Sequence, residues 1–343
     1  MKALVLESYN NLTYKDVENP IINDNEVLVK VKAVGICGSD VHGMDGSTGR
    51  RVPPIIMGHE ASGIIHEVGN NITAWKPGDR VTFDSTIYNE DDWFTKKGMY
   101  NLSDNRMVLG VSCNEFKRGG AFAEYVVIPQ HILYKIPENV SFSQAAMTEP
   151  AAVALHALNI SDLDKNATIL VVGSGMVGMF VIQLLKIKGV KTIIAVDTET
   201  DRLEKAKQSG ADHIFKPDDK ELPNLINQIT GNRGVDLVFE VVGLSETINK
   251  SISLLRKGGA LTIIGNLSKT IELPLQAVVT RQLKIQGSCT INGEYEEVLE
   301  YISNGKLNVE RILSAEAPLE EGASWFDRLY KKEKGLMKVI LKP

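Results

Sequence analysis

Cysteine is scarce in this chain. Its three thiols, Cys37, Cys113 and Cys289, stand far apart and are odd in number. That excludes a disulfide framework and makes a reducing compartment the expected setting. Long apolar runs are missing too. No stretch reaches the roughly 20 residues of a membrane-spanning helix, and the opening MKALVLESYNNLTY has no apolar signal-peptide core. Nor is there a basic cluster long enough to follow a phosphate backbone. With a net charge of −5, nucleic acid is excluded as a partner. Repeats and low-complexity tracts are absent. These absences predict a soluble cytoplasmic protein without membrane or nucleic-acid partners.

What is present is ordinary globular composition, 43% hydrophobic and 24% charged over 343 residues, enough for a sizeable core and for two domains. The first part reads as short strands at Ala3–Leu6, Glu26–Val34, Ala61–Val68, Arg80–Phe83 and Ala123–Val127. Turn signals such as Lys76-Pro77-Gly78-Asp79 separate them. This predicts a β-rich, barrel-like domain with its reactive groups on loops. After Pro150 strand and helix patterns alternate, which predicts a doubly wound parallel sheet. Its expected strands are Thr168–Val172, Thr192–Val196, Val235–Val242, Ala260–Ile264 and Leu283–Gly287, with a helix over Asp201–Ser209.

The turn after Thr168–Val172 carries chemistry. It reads Gly173-Ser174-Gly175-Met176-Val177-Gly178 and opens a helical pattern that runs to Lys188. Gly173 permits a tight turn, Gly175 lets backbone amides approach a pyrophosphate, and Gly178 lets the helix pack against its strand. The helix N-terminus offers unpaired N–H groups to a diphosphate. Asp197 closes the next strand about 24 residues after Gly173, where its carboxylate suits both ribose hydroxyls and repels a 2′-phosphate. By itself such a motif is as readily a glycine turn. Between a strand and a helix, with the acid in place, it predicts NAD. Val242, Ile264, Gly265 and Asn266, at the carboxyl ends of later strands, are expected near the nicotinamide half.

Two loops of the first part hold metal-ligand chemistry. One is Gly35-Ile36-Cys37-Gly38-Ser39-Asp40-Val41-His42, the other Gly58-His59-Glu60-Ala61-Ser62-Gly63. A thiolate, an imidazole and a carboxylate form a mixed set suited to zinc with one position open. Taken singly, Cys37 is a small buried hydrophobe and His59-Glu60 a surface hydrogen-bonding pair. Between the loops, Arg50 and Arg51 read as an exposed solvated pair or as a receiver for a substrate phosphate. Cys113 has no ligand partner nearby and reads as structural.

GICGSDVH, GHEASGIIHEVG and VVGSGMVG with its following Asp together resemble the zinc-dependent medium-chain dehydrogenase/reductases, and most closely their sorbitol (polyol) dehydrogenase group. The likeness covers the whole chain, and Gly58–Gly69 fits the zinc signature residue for residue. It implies a GroES-like catalytic domain over 1–150 and 290–343 and a Rossmann domain over 151–289. It also implies that Cys37, His59 and Glu60 hold a catalytic zinc and that Asp40 orients the histidine. Ser39 matches the hydroxyl that takes the substrate proton, and His42 the base that passes it to solvent; without the resemblance, Ser39 is a helix-capping hydroxyl. Glu149, in Thr148-Glu149-Pro150, matches the Glu-Pro of polyol dehydrogenases and is expected to reach the metal or a substrate hydroxyl; its plain reading is a helix N-terminal acid. Arg202 matches an arginine near the adenosine ribose, or is simply an exposed helix cation. Cys289 and Thr290 fall where the chain re-enters the catalytic domain beside the nicotinamide, and here the aromatic and arginine of sorbitol enzymes are missing.

A second departure concerns the structural zinc that many members hold through four cysteines. Those positions are Asn89, Asp92, Thr95 and Ser103 here, so a thiolate site is unavailable. One zinc per chain is expected, with the segment 85–105 ordered by burying Trp93, Phe94 and Tyr100 or by subunit contact. The tail should return to the first domain, with Val339–Leu341 as a closing strand. The reading is an α/β enzyme, expected by resemblance to be a homodimer or homotetramer, that oxidises a secondary hydroxyl of a polyol with NAD. A phosphorylated polyol, a vicinal diol or threonine is the alternative substrate, and a non-catalytic NAD-binding protein the alternative class.

Overall fold

A computed structural model describes residues 1–111 and 118–343; Cys113 lies outside the described residues. The chain divides into two compact units, Met1–Ala152 with Thr290–Pro343, and Val153–Cys289.

The first unit is built on the strand Glu26–Gly35, EVLVKVKAVG, whose β-branched residues suit a pleated surface with little exposure. It pairs antiparallel with Glu60–Val68, Tyr125–Pro129 and Lys338–Lys342. Arg80–Phe83 and Leu133–Lys135 extend the sheet on one side, Leu313–Pro318 on the other. Two register shifts in Glu26–Gly35 bend it as bulges do. Leu4, Val29, Phe83, Phe122, Phe326 and Leu341 are among the core residues. The registers matter most at one end, where Gly35 stands opposite both Glu60 and Ile340. Ala123 makes only a single bridge to Ala3, and the strand expected to start there begins at Tyr125.

Of the three aromatics expected to order the segment 85–105, Phe94 and Tyr100 are half-buried and Trp93 is not. Trp93 is 60% exposed. Hydrogen bonds take the place of burial. Asp92 caps the helix Trp93–Lys96 by accepting from the amides of Phe94 and Thr95, and its other oxygen accepts from Asp104 N. Asn89 N donates to Ser103 Oγ at 3.3 Å. Tyr100 stacks on Tyr88 at 4.4 Å and donates to Asp84 Oδ2 at 2.7 Å. Gly293 N in turn donates to the Tyr100 hydroxyl, and Asn292 Nδ2 to Gly98 O.

The second unit is a six-stranded parallel sheet in the order His213–Phe215, Thr192–Val196, Thr168–Val172, Val235–Glu240, Leu255–Ile263, Lys284–Gly287. The strand order reverses between Thr168–Val172 and Val235–Glu240, which is where such sheets receive ligands. TILVV is buried at every position, as a strand covered on both faces requires. Val235–Glu240 stops two residues short of the expected end. There the Glu240 carboxylate accepts from the amides of Val242 and Gly243 and pulls the chain into a turn. The next strand starts earlier than expected, at Leu255.

Burial pushes the Asp84 carboxyl up to about 7, against hydrogen bonds from Thr86 and Tyr100 that favour its charged form. A raised acid keeps its proton on folding, so its contribution is complete below the ordinary carboxylate range and is lost as pH rises from about 4 to about 7. Asp84→Asn should therefore gain stability relative to the parent between pH 4.5 and 7.5, on the order of a few kcal/mol. Denaturant unfolding at the two pH values measures it; a gap that does not move with pH contradicts the assignment.

Candidate active site: a metal centre and a dinucleotide turn

The metal centre grows out of the register at Gly35. Just past that strand, Cys37 caps the short helix Gly38–Gly43, its Sγ accepting from Ser39 N at 3.5 Å and from Ser39 Oγ at 3.3 Å. Opposite, the strand Glu60–Val68 begins at Glu60 with His59 before it. Ligand atoms of Cys37, His59 and Glu60 lie within 4.8 Å of one another. A Cβ on Gly35 would stand 2.5 Å from Glu60 Oε2 and 2.7 Å from Lys338 Nζ, so only glycine leaves the carboxylate its place.

Two of these groups, Cys37 and His59, are perturbed. Burial opposes the Cys37 thiolate, yet the charge of His59 and a hydrogen bond with it, with Lys338 behind, bring the thiol down to about 7. Burial likewise opposes a charged His59, but Asp40 and then Cys37 push it up to about 9. The two approach a thiolate–imidazolium pair, whose proton a cation would displace. Asp40 Oδ1 faces His59 Nδ1 at 3.6 Å, too long for a hydrogen bond but close enough for its charge to act on the ring. Glu60 Oε2 is ion-paired with Lys338 Nζ, which also donates to Ile36 O. Among the described residues, buried Glu60 Oε1 finds no hydrogen-bond partner. A buried carboxylate oxygen with capacity to spare, beside sulfur and imidazole, fits zinc.

The remaining expected residues fall as follows. Glu149 is buried, accepts from Ser85 Oγ at 2.9 Å and is not one of the three close donors. Burial raises its pKa to about 7, although His59 pulls the other way. Ser39 sits against Cys37, and His42 follows one turn later, partly exposed. The pair Arg50 and Arg51 does not stay in solvent: Arg51 is 2% exposed and ion-paired with Asp40 at 2.7 Å. Lys338 was missed altogether. It opens the expected closing strand, 278 residues from Glu60, and a lysine heading an apolar run carries no local sign of burial.

In the second unit, Gly173 has φ +96° and a Cβ on Gly178 would meet Gly173 O at 1.9 Å, which accounts for both glycines. Gly175 caps the helix Met176–Ile187 with no side-chain hydrogen bond, so the amides at Met176 and Val177 face outward for a phosphate. Asp197 accepts from Ser174 N at 2.7 Å and from Glu199 N at 2.9 Å. Each oxygen keeps a lone pair for a ribose hydroxyl. Arg202 Nη1 stands 4.0 Å from Asp197 Oδ2. Gly265 packs so tightly on Val242-Gly243 that a Cβ there would lie 2.3 Å from Gly243 N. Ile264 and Gly265 donate to Glu240 O, with Asn266 next along. Cys289 is half-buried, and Thr290 has φ +50°.

A parallel sheet with this turn, together with a Cys/His/Glu donor set on a β-rich unit, defines the class of zinc-dependent alcohol dehydrogenases. Comparison with known proteins agrees. The family described as alcohol dehydrogenase GroES-like domain matches residues 23–138, and that described as zinc-binding dehydrogenase matches residues 176–304. The chain is 32% identical over 327 residues to D-arabitol-phosphate dehydrogenase of Enterococcus avium, covering 94% of this chain and 91% of that one. To sorbitol dehydrogenase of Bacillus subtilis it is 32% identical over 348 residues, covering 100% and 97%. An Escherichia coli alcohol dehydrogenase solved with NADH superposes with TM-score 0.91 at 28% identity, covering 100% and 99%. The chain belongs to the zinc-binding alcohol dehydrogenase family.

Lys338→Met should leave the Glu60 carboxylate buried and unpaired. The expected loss is about 3–5 kcal/mol in chelator, as for a broken buried pair, and less with zinc present, because the cation then neutralises Glu60. Unfolding in EDTA and in zinc buffer checks this; equal losses in both would remove Glu60 from the metal centre.

Proposed function

We propose that the protein reversibly oxidises a secondary hydroxyl of a polyol to a ketone, with NAD as hydride acceptor. The observation that carries this reading is the close Cys37, His59 and Glu60 set with an unused, buried Glu60 oxygen. Cys37, His59 and Glu60 would hold one zinc, and Glu149, whose carboxyl feels the charges of His59 and Cys37, would exchange for Glu60 or receive a substrate hydroxyl. The bound metal supplies Lewis-acid polarisation of the alcohol oxygen, of the kind that lowers the pKa of bound water to about 7. Ser39 takes the proton of the reacting alcohol as its own hydroxyl hydrogen, which points to Cys37 Sγ in this structure, passes to His42, and His42 hands that proton to solvent, a relay that a buried reaction centre needs. Asp197 holds the ribose of NAD, the turn 173–178 its diphosphate, and the residues Val242, Ile264 to Asn266, Cys289 and Thr290 the nicotinamide side. Relatives that act on sorbitol and on arabitol phosphate support the polyol class.

A phosphate ester is the second reading. Arg51 is engaged by Asp40, while Arg50 keeps partial solvent access and is the cation available to a phosphate. The test is NADH formation across polyols, polyol phosphates, vicinal diols and threonine, with and without chelator, beside a metal assay. Turnover of a polyol that chelator abolishes, one zinc per chain, and NAD preferred over NADP are expected. Arg50→Ala raises KM about tenfold or more only for phosphorylated substrates if the second reading holds. NAD binding without turnover across the whole panel would leave a mere binding protein.

We also propose that the chain works in the cytoplasm as a homo-oligomer. Lys284–Gly287 lies at the end of its sheet, and Leu275 and Val279, 65% and 68% exposed, share one helix face beside it. Light scattering should give a dimer or tetramer for the parent and a smaller species for Leu275→Asp/Val279→Asp. A monomeric parent overturns this.

A further inference from the structure

Arg51 is among the largest side chains that are fully buried, and the reading above gives it no task. Its Nη2 donates to Asp40 Oδ1 at 2.7 Å and to Ser39 Oγ at 3.2 Å. Room for it comes from Gly43, where a Cβ would stand 2.5 Å from Arg51 Cγ. Asp40 Oδ1 is the same oxygen that faces His59 Nδ1 at 3.6 Å. One guanidinium thus touches both the acid behind a metal ligand and the hydroxyl expected to take the substrate proton.

The geometry points to Arg51 as a positioning residue that couples the metal centre to the proton-accepting serine. Two consequences follow from its contacts. First, the buried ion pair with Arg51 fixes the Asp40 carboxylate in place, with Oδ1 on the side of His59. Second, a hydroxyl has one hydrogen and two lone pairs. Ser39 directs its hydrogen to Cys37 Sγ and one lone pair to Arg51, which leaves one lone pair for the reacting alcohol. Lysine is a poor substitute: both bonds leave the one Nη2, whose two hydrogens are held in the guanidinium plane, whereas an ammonium turning freely on its stem fixes neither direction.

This inference rests on the dehydrogenase reading, and the experiment separates the two. Parent, Arg51→Met, Arg51→Lys and Gly43→Ala are compared for zinc release to a chelator, for the visible spectrum of the cobalt(II)-substituted protein, and for kcat and the KM of NAD. In Arg51→Met zinc release should be about 10–100 times faster, as expected when the group behind a ligand is lost. Its cobalt bands should shift and its kcat fall about 100-fold, while the KM of NAD stays within about twofold, since the turn 173–178 is untouched. Arg51→Lys should restore zinc retention and the cobalt bands but leave kcat about tenfold low. Gly43→Ala, a helix-favouring change, should reproduce the methionine variant by displacing Arg51.

A folded Arg51→Met with parental zinc release and cobalt bands overturns the proposal, even if its melting temperature drops. Should Arg51→Met fail to fold, parental kcat in Arg51→Lys overturns it equally. A parent chain that neither binds zinc nor oxidises any alcohol sinks the dehydrogenase reading itself.

Discussion

Burial of charge is the constraint on which the first unit depends. Asp40, Arg51, His59, Glu60 and Lys338 are all withdrawn from water at one end of a sheet. An isolated buried ion costs far more than a fold of this size can absorb. Each group therefore needs an opposite charge within reach, and the pairs Arg51–Asp40 and Lys338–Glu60 provide it. The second pair exists because Gly35 stands opposite both Glu60 and Ile340 in a single register. A slip of one residue in either pairing would turn every side chain to the other face and strand two ions. Register, charge pairing and the meeting of Cys37 with His59 consequently depend on one another in the folded chain.

The same logic explains how the metal centre stays poised. Lys338 holds one oxygen of Glu60 and leaves the other without a partner, while Asp40 and Cys37 raise His59 and His59 lowers Cys37. The charges balance internally, yet the donor atoms converge. The segment 85–105 solves a simpler problem by different means. There Asp92 accepts three backbone amides and Tyr100 bridges Asp84 to the return segment at Gly293. Hydrogen bonds of this kind are individually modest and work by number and by locality.

The legible parts of the molecule are those governed by short-range rules. Thr168–Val172, Thr192–Val196 and Arg80–Phe83 could be read to the residue, because a fully buried strand is a bounded apolar run. The turn 173–178 was equally plain, since its glycines answer a steric demand inside six residues. Errors arose where a polar side chain's partner, and not the apolar pattern, decided the outcome. Val235–Glu240 is cut short by its own last side chain capping the turn. Trp93 stayed exposed because Asp92, a single capping acid, already ordered the segment. Arg51 looked solvated because nothing in Gly49-Arg50-Arg51-Val52 announces a buried acid eleven residues back.

By itself, then, the order of residues determined the elements, the dinucleotide turn and the types of ligand offered to a metal, since each of these is set by backbone sterics and by chemistry within a few positions. Tertiary structure alone decided which carboxylate stands with Cys37 and His59, that Arg51 lies beneath Asp40 and Ser39, and that Lys338 meets Glu60. Those are questions of which charges are buried together, and only the pairing of strands far apart in the chain answers them.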